Sequence, residues 1–81
     1  MSATLARLGT ITLRMRFLGE ELKRLRNERF LSQRDLAQKA GLSPTTIMHL
    51  ETGKSADPRL STVRKVAKAL GVDPNSLVDR G

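Results

Sequence analysis

From Leu18 onward, apolar residues recur every three or four positions, and glycine, proline and hydroxyl residues cut the pattern into five short helices. Leu18, Leu22 and Leu25 form one stripe and predict a first helix over about 18–29. Ser32 is placed to cap a second helix, Gln33 to Ala40, with Asp35 completing an acidic form of the capping box. That helix turns Leu36, Ala37 and Ala40 inward, and Gly41 supplies the left-handed residue that ends it. Ser43 and Pro44 open a third helix running to about Thr52, with Ile47 and Leu50 inward and Gly53 as its stop. After a loop through Pro58, Leu60, Val63, Val66, Ala67 and Leu70 predict a fourth helix closed by Gly71. Asp73 and Pro74 open a last short helix carrying Leu77 and Val78. The expected class is all-α.

Residues 1–17 follow a different rule. Between Ile11 and Phe17 apolar and polar residues alternate, so Ile11, Leu13, Met15 and Phe17 share one side of an extended segment. A lone strand cannot satisfy its own backbone, and a helical domain offers no sheet edge. The segment therefore either pairs with a strand from a second copy or another protein, or stays an unstructured basic tail. The expected organisation is an N-terminal arm, 1–17, and a helical domain, 18–81.

Charge narrows the partner. The 81 residues carry 15 basic against 8 acidic side chains, a net +7, which favours a polyanion. The chain has no cysteine and a single histidine, His49, so neither a disulfide nor a protein-only zinc site is expected. Phe17 and Phe30 are the only aromatic residues, too few for a base-stacking RNA platform. No run is apolar enough to span a membrane, and the cytoplasm is the expected location. No nucleophile–base pair or phosphate-binding glycine loop suggests an enzyme, and no cofactor is expected.

The second and third helices, joined across Ala40-Gly41-Leu42-Ser43, have the spacing of a helix-turn-helix unit. Stepping 100° per residue along the third helix groups Ile47, Leu50 and Glu51 on one side. Thr45, Met48, His49 and Thr52 fall on the other, an acid-free face whose side chains suit base edges and thymine methyls. Each has a plainer reading: His49 as an ordinary surface residue, Met48 as packing. Arg34, Lys39, Lys65 and Lys68 read as solvated charges adding long-range attraction. Arg26 and Glu51 lie at the edges of apolar stripes, where a carboxylate needs a partner.

The run from Gln33 to Ser43, followed by Thr46-Ile47 and Leu50-Glu51-Thr52-Gly53-Lys54, resembles the Cro/CI-type (XRE-type) helix-turn-helix family. The resemblance continues through Pro58 and the segment Val66 to Val72, covering roughly residues 18–79. It implies a five-helix, lambda-repressor-like domain with the third helix in the DNA major groove and, if the arm does not join two copies, a dimer contact near Val72, Leu77 and Val78. Thr45 and His49 match base-reading positions, and Met48 joins them through its outward place on the same helix. Gln33, whose helix N-terminus is also an anion site on physical grounds, matches a phosphate-binding position. Lys54 matches a backbone contact, Arg59 a minor-groove arginine, and Thr52 is grouped with these. Arg26 and Glu51 match a salt bridge between the first and third helices that would leave Arg26 near a phosphate. Pro44 departs from the pattern, standing where many relatives carry a glutamine that reads a base or braces Gln33.

The expected function is sequence-specific binding of double-stranded DNA by a homodimer on a pseudo-palindromic operator, as a transcriptional regulator and repressor. Phage repressor, restriction-modification controller and autoregulating antitoxin all fit that description. The alternative is an antitoxin or adaptor that uses the fold and the arm to dock a protein partner, such as a toxin or a polymerase.

Overall fold

The computed structural model describes residues 16–54 and 58–79. Strand β1 is Arg16–Phe17, followed by helices α1 (Gly19–Glu28), α2 (Gln33–Ala40), α3 (Pro44–Thr52) and α4 (Leu60–Leu70). A single 3₁₀ turn, Pro74–Leu77, leads into strand β2, Val78–Asp79.

The capping chemistry does what its residues dictate. The Ser32 hydroxyl accepts from the Asp35 N–H at 2.9 Å, while the Asp35 carboxylate accepts from the Ser32 N–H at 3.0 Å. The Ser32 backbone N–H, and after it the Ser32 hydroxyl, hold the Asp35 carboxyl below the usual carboxylate range. Gly41 is left-handed (φ 72°), and the Leu42 N–H donates to Ala37 O at 2.8 Å, which ends α2 and turns the chain within three residues of α3. Ser43 caps α3 by accepting from the Thr46 N–H at 3.1 Å, with Pro44 in the first turn.

The four α-helices bury one shared core. Leu22 and Leu25 from α1, Leu36, Ala37 and Ala40 from α2, Ile47 and Leu50 from α3, and Val63, Val66, Ala67 and Leu70 from α4 meet there. Leu77 completes it and is fully buried. The expected fifth helix is therefore a 3₁₀ turn. Four residues between Asp73 and Val78 leave no room for an i to i+4 ladder, and Val78 continues as strand.

The domain also contains the sheet edge that a purely helical reading denies it. Arg16 pairs with Asp79 and Phe17 with Val78 in an antiparallel ladder, and the Leu18 N–H donates to Leu77 O at 2.8 Å. The alternation holds for these two residues: Phe17 is buried in the core, whereas Arg16 is exposed and reaches the Asp79 carboxylate at 3.3 Å. Phe17 thus belongs to the folded body, and its strand partner comes from the same chain. The remainder of the alternating segment, Ile11 to Met15, lies outside the described residues.

Two contacts lock α1 in place. A Cβ at Gly19 would sit 2.4 Å from Leu50 O and 2.8 Å from Glu51 O, so only glycine lets the start of α1 lie against the end of α3. At the other end, Arg29 donates from Nε to Leu70 O and from Nη1 to Leu25 O, both at 2.9 Å, tying together carbonyls at the C-terminal ends of α1 and α4. The next residue, Phe30, has a left-handed backbone (φ 55°) and is 95 % exposed.

Candidate nucleic-acid interface

The site is built around helix α3, one face of which is fixed to the core. Ile47 and Leu50 are buried, and Glu51 is turned inward beside them at 8 % exposure. Arg26 of α1 grips that carboxylate with both sides of its guanidinium: Nε donates to Glu51 Oε2 at 2.5 Å and Nη2 to Oε1 at 3.0 Å. Its Nη1 donates to Leu31 O at 2.7 Å, and Gln33 Nε2 adds a fourth bond to the cluster, donating to Glu51 Oε1 at 3.1 Å. Both charges are thus satisfied inside the domain. Among the described residues no buried side-chain polar atom lacks a partner. The bonds to Glu51 hold the Arg26 guanidinium still more firmly in its charged form.

This cluster ties three elements together. α1 contributes Arg26, the first turn of α2 contributes Gln33, and α3 receives both on one carboxylate. A bidentate guanidinium–carboxylate pair fixes orientation as well as distance, so the roll of α3 about its own axis is set. The face opposite the cluster points away from the core. Thr45 and Thr52 are exposed there, Met48 is 41 % exposed, and His49 is half-buried. The nine residues of α3 span roughly 13 Å.

The expected contact residues do not all present themselves in the same way. Lys54 and Arg59 are exposed and make no ion pair among the described residues. Arg59 also stands at the head of α4 without capping it through its side chain. Arg26, by contrast, is 8 % exposed with three nitrogens already donating to protein oxygens, which makes it a positioning residue with little surface to offer a phosphate. Gln33 has its amide nitrogen on Glu51, so its phosphate-binding capacity rests on the backbone N–H of the first helical turn and the remaining amide atoms. Thr52 donates its hydroxyl proton to Met48 O at 2.9 Å, leaving lone pairs that a phosphate oxygen repels. A phosphate contact from Thr52 requires that bond to break first.

Sequence reasoning missed Gln33 as a ligand of Glu51. It also missed Gly19 against Leu50 and Glu51, and Arg29 against Leu70 O, approaches between positions far apart in the chain that leave no local trace.

Two helices across a glycine turn, with the second held by its inner face and open on its outer one, define a helix-turn-helix domain. A helix-turn-helix domain family matches residues 18–80, and the chain belongs to this XRE-type helix-turn-helix family. It is 38 % identical over 64 residues to the HTH-type transcriptional repressor RghR of Bacillus subtilis, covering 79 % of this chain and 47 % of that protein. The restriction-modification controller protein C.AhdI from Aeromonas hydrophila superposes with a TM-score of 0.68 at 33 % identity, covering 72 % of this chain and 86 % of that one. The crystal structure of the biofilm regulator SinR in complex with DNA also gives a TM-score of 0.68, at 28 % identity over 70 % of this chain and 90 % of that one. The chain spans about half the length of the curated relatives it matches.

Proposed function

We propose that this chain binds duplex DNA sequence-specifically as a homodimer, with α3 in the major groove, and acts as a transcriptional repressor on a pseudo-palindromic operator. The observation that carries the reading is the fixed, acid-free outer face of α3. The sole carboxylate of α3, Glu51, is drawn inside by Arg26 and Gln33, so the outer face carries no negative charge to repel phosphate. Thr45, Met48 and His49 are assigned to base edges. The first turn of α2 at Gln33, with Lys54 and Arg59, is assigned to phosphates and the flanking minor groove. The SinR structure, similar in fold and solved with DNA, supports this placement. For the dimer contact, Leu77 is already buried in its own core, which leaves half-buried Val72 and Val78 as the apolar residues at that end.

The test is selection of bound sequences from random duplexes. Enrichment of a motif with two-fold symmetry supports the reading, and recovery of no motif contradicts it. Phosphate contacts add a second signature, because each neutralised phosphate contributes about −0.9 to the slope of log affinity against log salt. A dimer with several contacts per subunit should give roughly −5 to −9, and Lys54→Ala should weaken all duplexes alike.

A further inference from the structure

The flank of the domain carries a second charged feature that the DNA reading does not use. Between the C-terminal ends of α2 and α4 lies a groove of about 450 Å³, lined by Lys39 and Ala40 on one side and Lys65, Lys68 and Ala69 on the other. None of the three lysines makes a hydrogen bond or ion pair among the described residues. Helix dipoles account for part of this charge, since Lys39 and Lys68 stand in the last turns of their helices. Two helix C-termini supply only about −0.5 each, so three ammonium groups leave roughly two positive charges in excess.

The groove shares no lining residue with the proposed DNA surface. If the first turn of α2 meets a phosphate, Lys39 stands six residues further along the same helix, roughly 9 Å toward the opposite end. The apolar floor formed by Ala40 and Ala69 also gives a sugar–phosphate backbone nothing to contact. A peptide side chain can use it.

We propose that this groove docks an acidic polypeptide segment, with two or more carboxylates meeting Lys39, Lys65 and Lys68 while an apolar side chain rests on Ala40 and Ala69. The charge excess matches two carboxylates, and the short alanine side chains leave room between the lysines. The proposal rests on the DNA reading only for where the duplex lies. It would give the regulator a protein contact that stays open while α3 is occupied.

The experiment uses the whole chain and a fluorescent helical peptide of about four turns, with glutamates flanking a leucine stripe, at about 0.1 M salt. The groove variant Lys39→Gln/Lys65→Gln/Lys68→Gln is compared with Arg16→Gln/Lys23→Gln/Arg64→Gln, which removes the same net charge from other exposed positions. All six sites are exposed, so both variants should keep the parent's circular dichroism and melting curve. The expected result is a loss of peptide affinity of about tenfold or more in the groove variant and under about threefold in the control. Affinity for a mixed-sequence duplex should fall no further in the groove variant than in the control. Equal peptide losses would overturn the proposal by showing bulk charge alone, as would failure of the parent to bind the peptide. A groove variant that loses duplex affinity, with the salt slope falling by about one per lysine, would place DNA in the groove instead. Failure of the duplex selection leaves the peptide comparison intact, so the two readings fail separately.

Discussion

Helix α1 carries two ion-paired arginines, one on each side, and they illustrate what burial does to the same chemistry. Arg24 lies on the solvent side, bridged to Glu21 and Glu28 one turn away in either direction. Arg26 lies on the core side, bridged to Glu51 across 25 residues of sequence, with its side chain 10 % exposed and that of Glu51 3 %. Water screens the first pair and competes with it, so it contributes little to stability. The second pair sits where neither charge could remain alone, and it joins separate elements. One decorates a helix; the other sets how α3 is presented.

Removing one partner on each side gives the sharpest contrast. Glu51→Ala leaves the Arg26 guanidinium buried without its carboxylate and should cost about 3–5 kcal/mol, read by chemical denaturation. That is a large share of the roughly 5–15 kcal/mol that holds a domain together. A melting curve for Glu51→Ala that matches that of Arg24→Ala would remove the distinction. Gly19→Ala comes next, because its Cβ would press on the backbone carbonyls of Leu50 and Glu51 and move α1 off α3, at about 1–3 kcal/mol. Gln33→Ala removes one part-buried bond while the bidentate pair remains, and should cost about 1 kcal/mol. If it costs as much as Glu51→Ala, the glutamine rather than the arginine is the principal anchor.

The smallest effect concerns acid. The hydrogen bond from Arg24, aided by its charge, holds the Glu21 carboxyl below its ordinary value. A carboxyl lowered on folding stabilises the native state above its unfolded pKa, and that contribution disappears as pH falls through the folded value. The stability difference between the parent and Arg24→Ala should therefore be small at neutral pH, start to shrink near the ordinary carboxylate pKa of about 4, and vanish once pH is below the lowered folded value. A difference that grows in acid would contradict the pairing.

The sequence carries some of these features openly and hides others for physical reasons. Ser32 with Asp35, Ser43 with Pro44, and Gly41 and Gly71 are local signals, because a cap or a left-handed residue acts within one turn. The helices they bound agree with expectation at α2, α3 and α4. The need of Glu51 for a partner was legible from its place beside an apolar stripe, and the resemblance named Arg26. Gln33 as a second donor, Arg29 bonding Leu70 O, and Gly19 beneath the end of α3 depend on tertiary approach and have no periodicity to betray them. Strand β2 is two residues long, too short to show alternation, and without it Phe17 had no visible partner. On the proposed reading face, Thr45, Met48 and His49 came from helical stepping and resemblance. That Thr52 gives its proton to Met48 O could be seen only in three dimensions.

The central proposal, that the outer face of α3 reads bases while its inner anchor only orients it, is tested most directly by paired affinities. Binding of the parent, Thr45→Ala and His49→Ala is measured by titration on the selected duplex and on mixed-sequence DNA at one salt concentration. Base reading predicts a loss of about 1–3 kcal/mol on the selected duplex and little change on mixed DNA. Equal losses on both duplexes would show that these side chains hold the backbone or nothing, and would contradict the assignment.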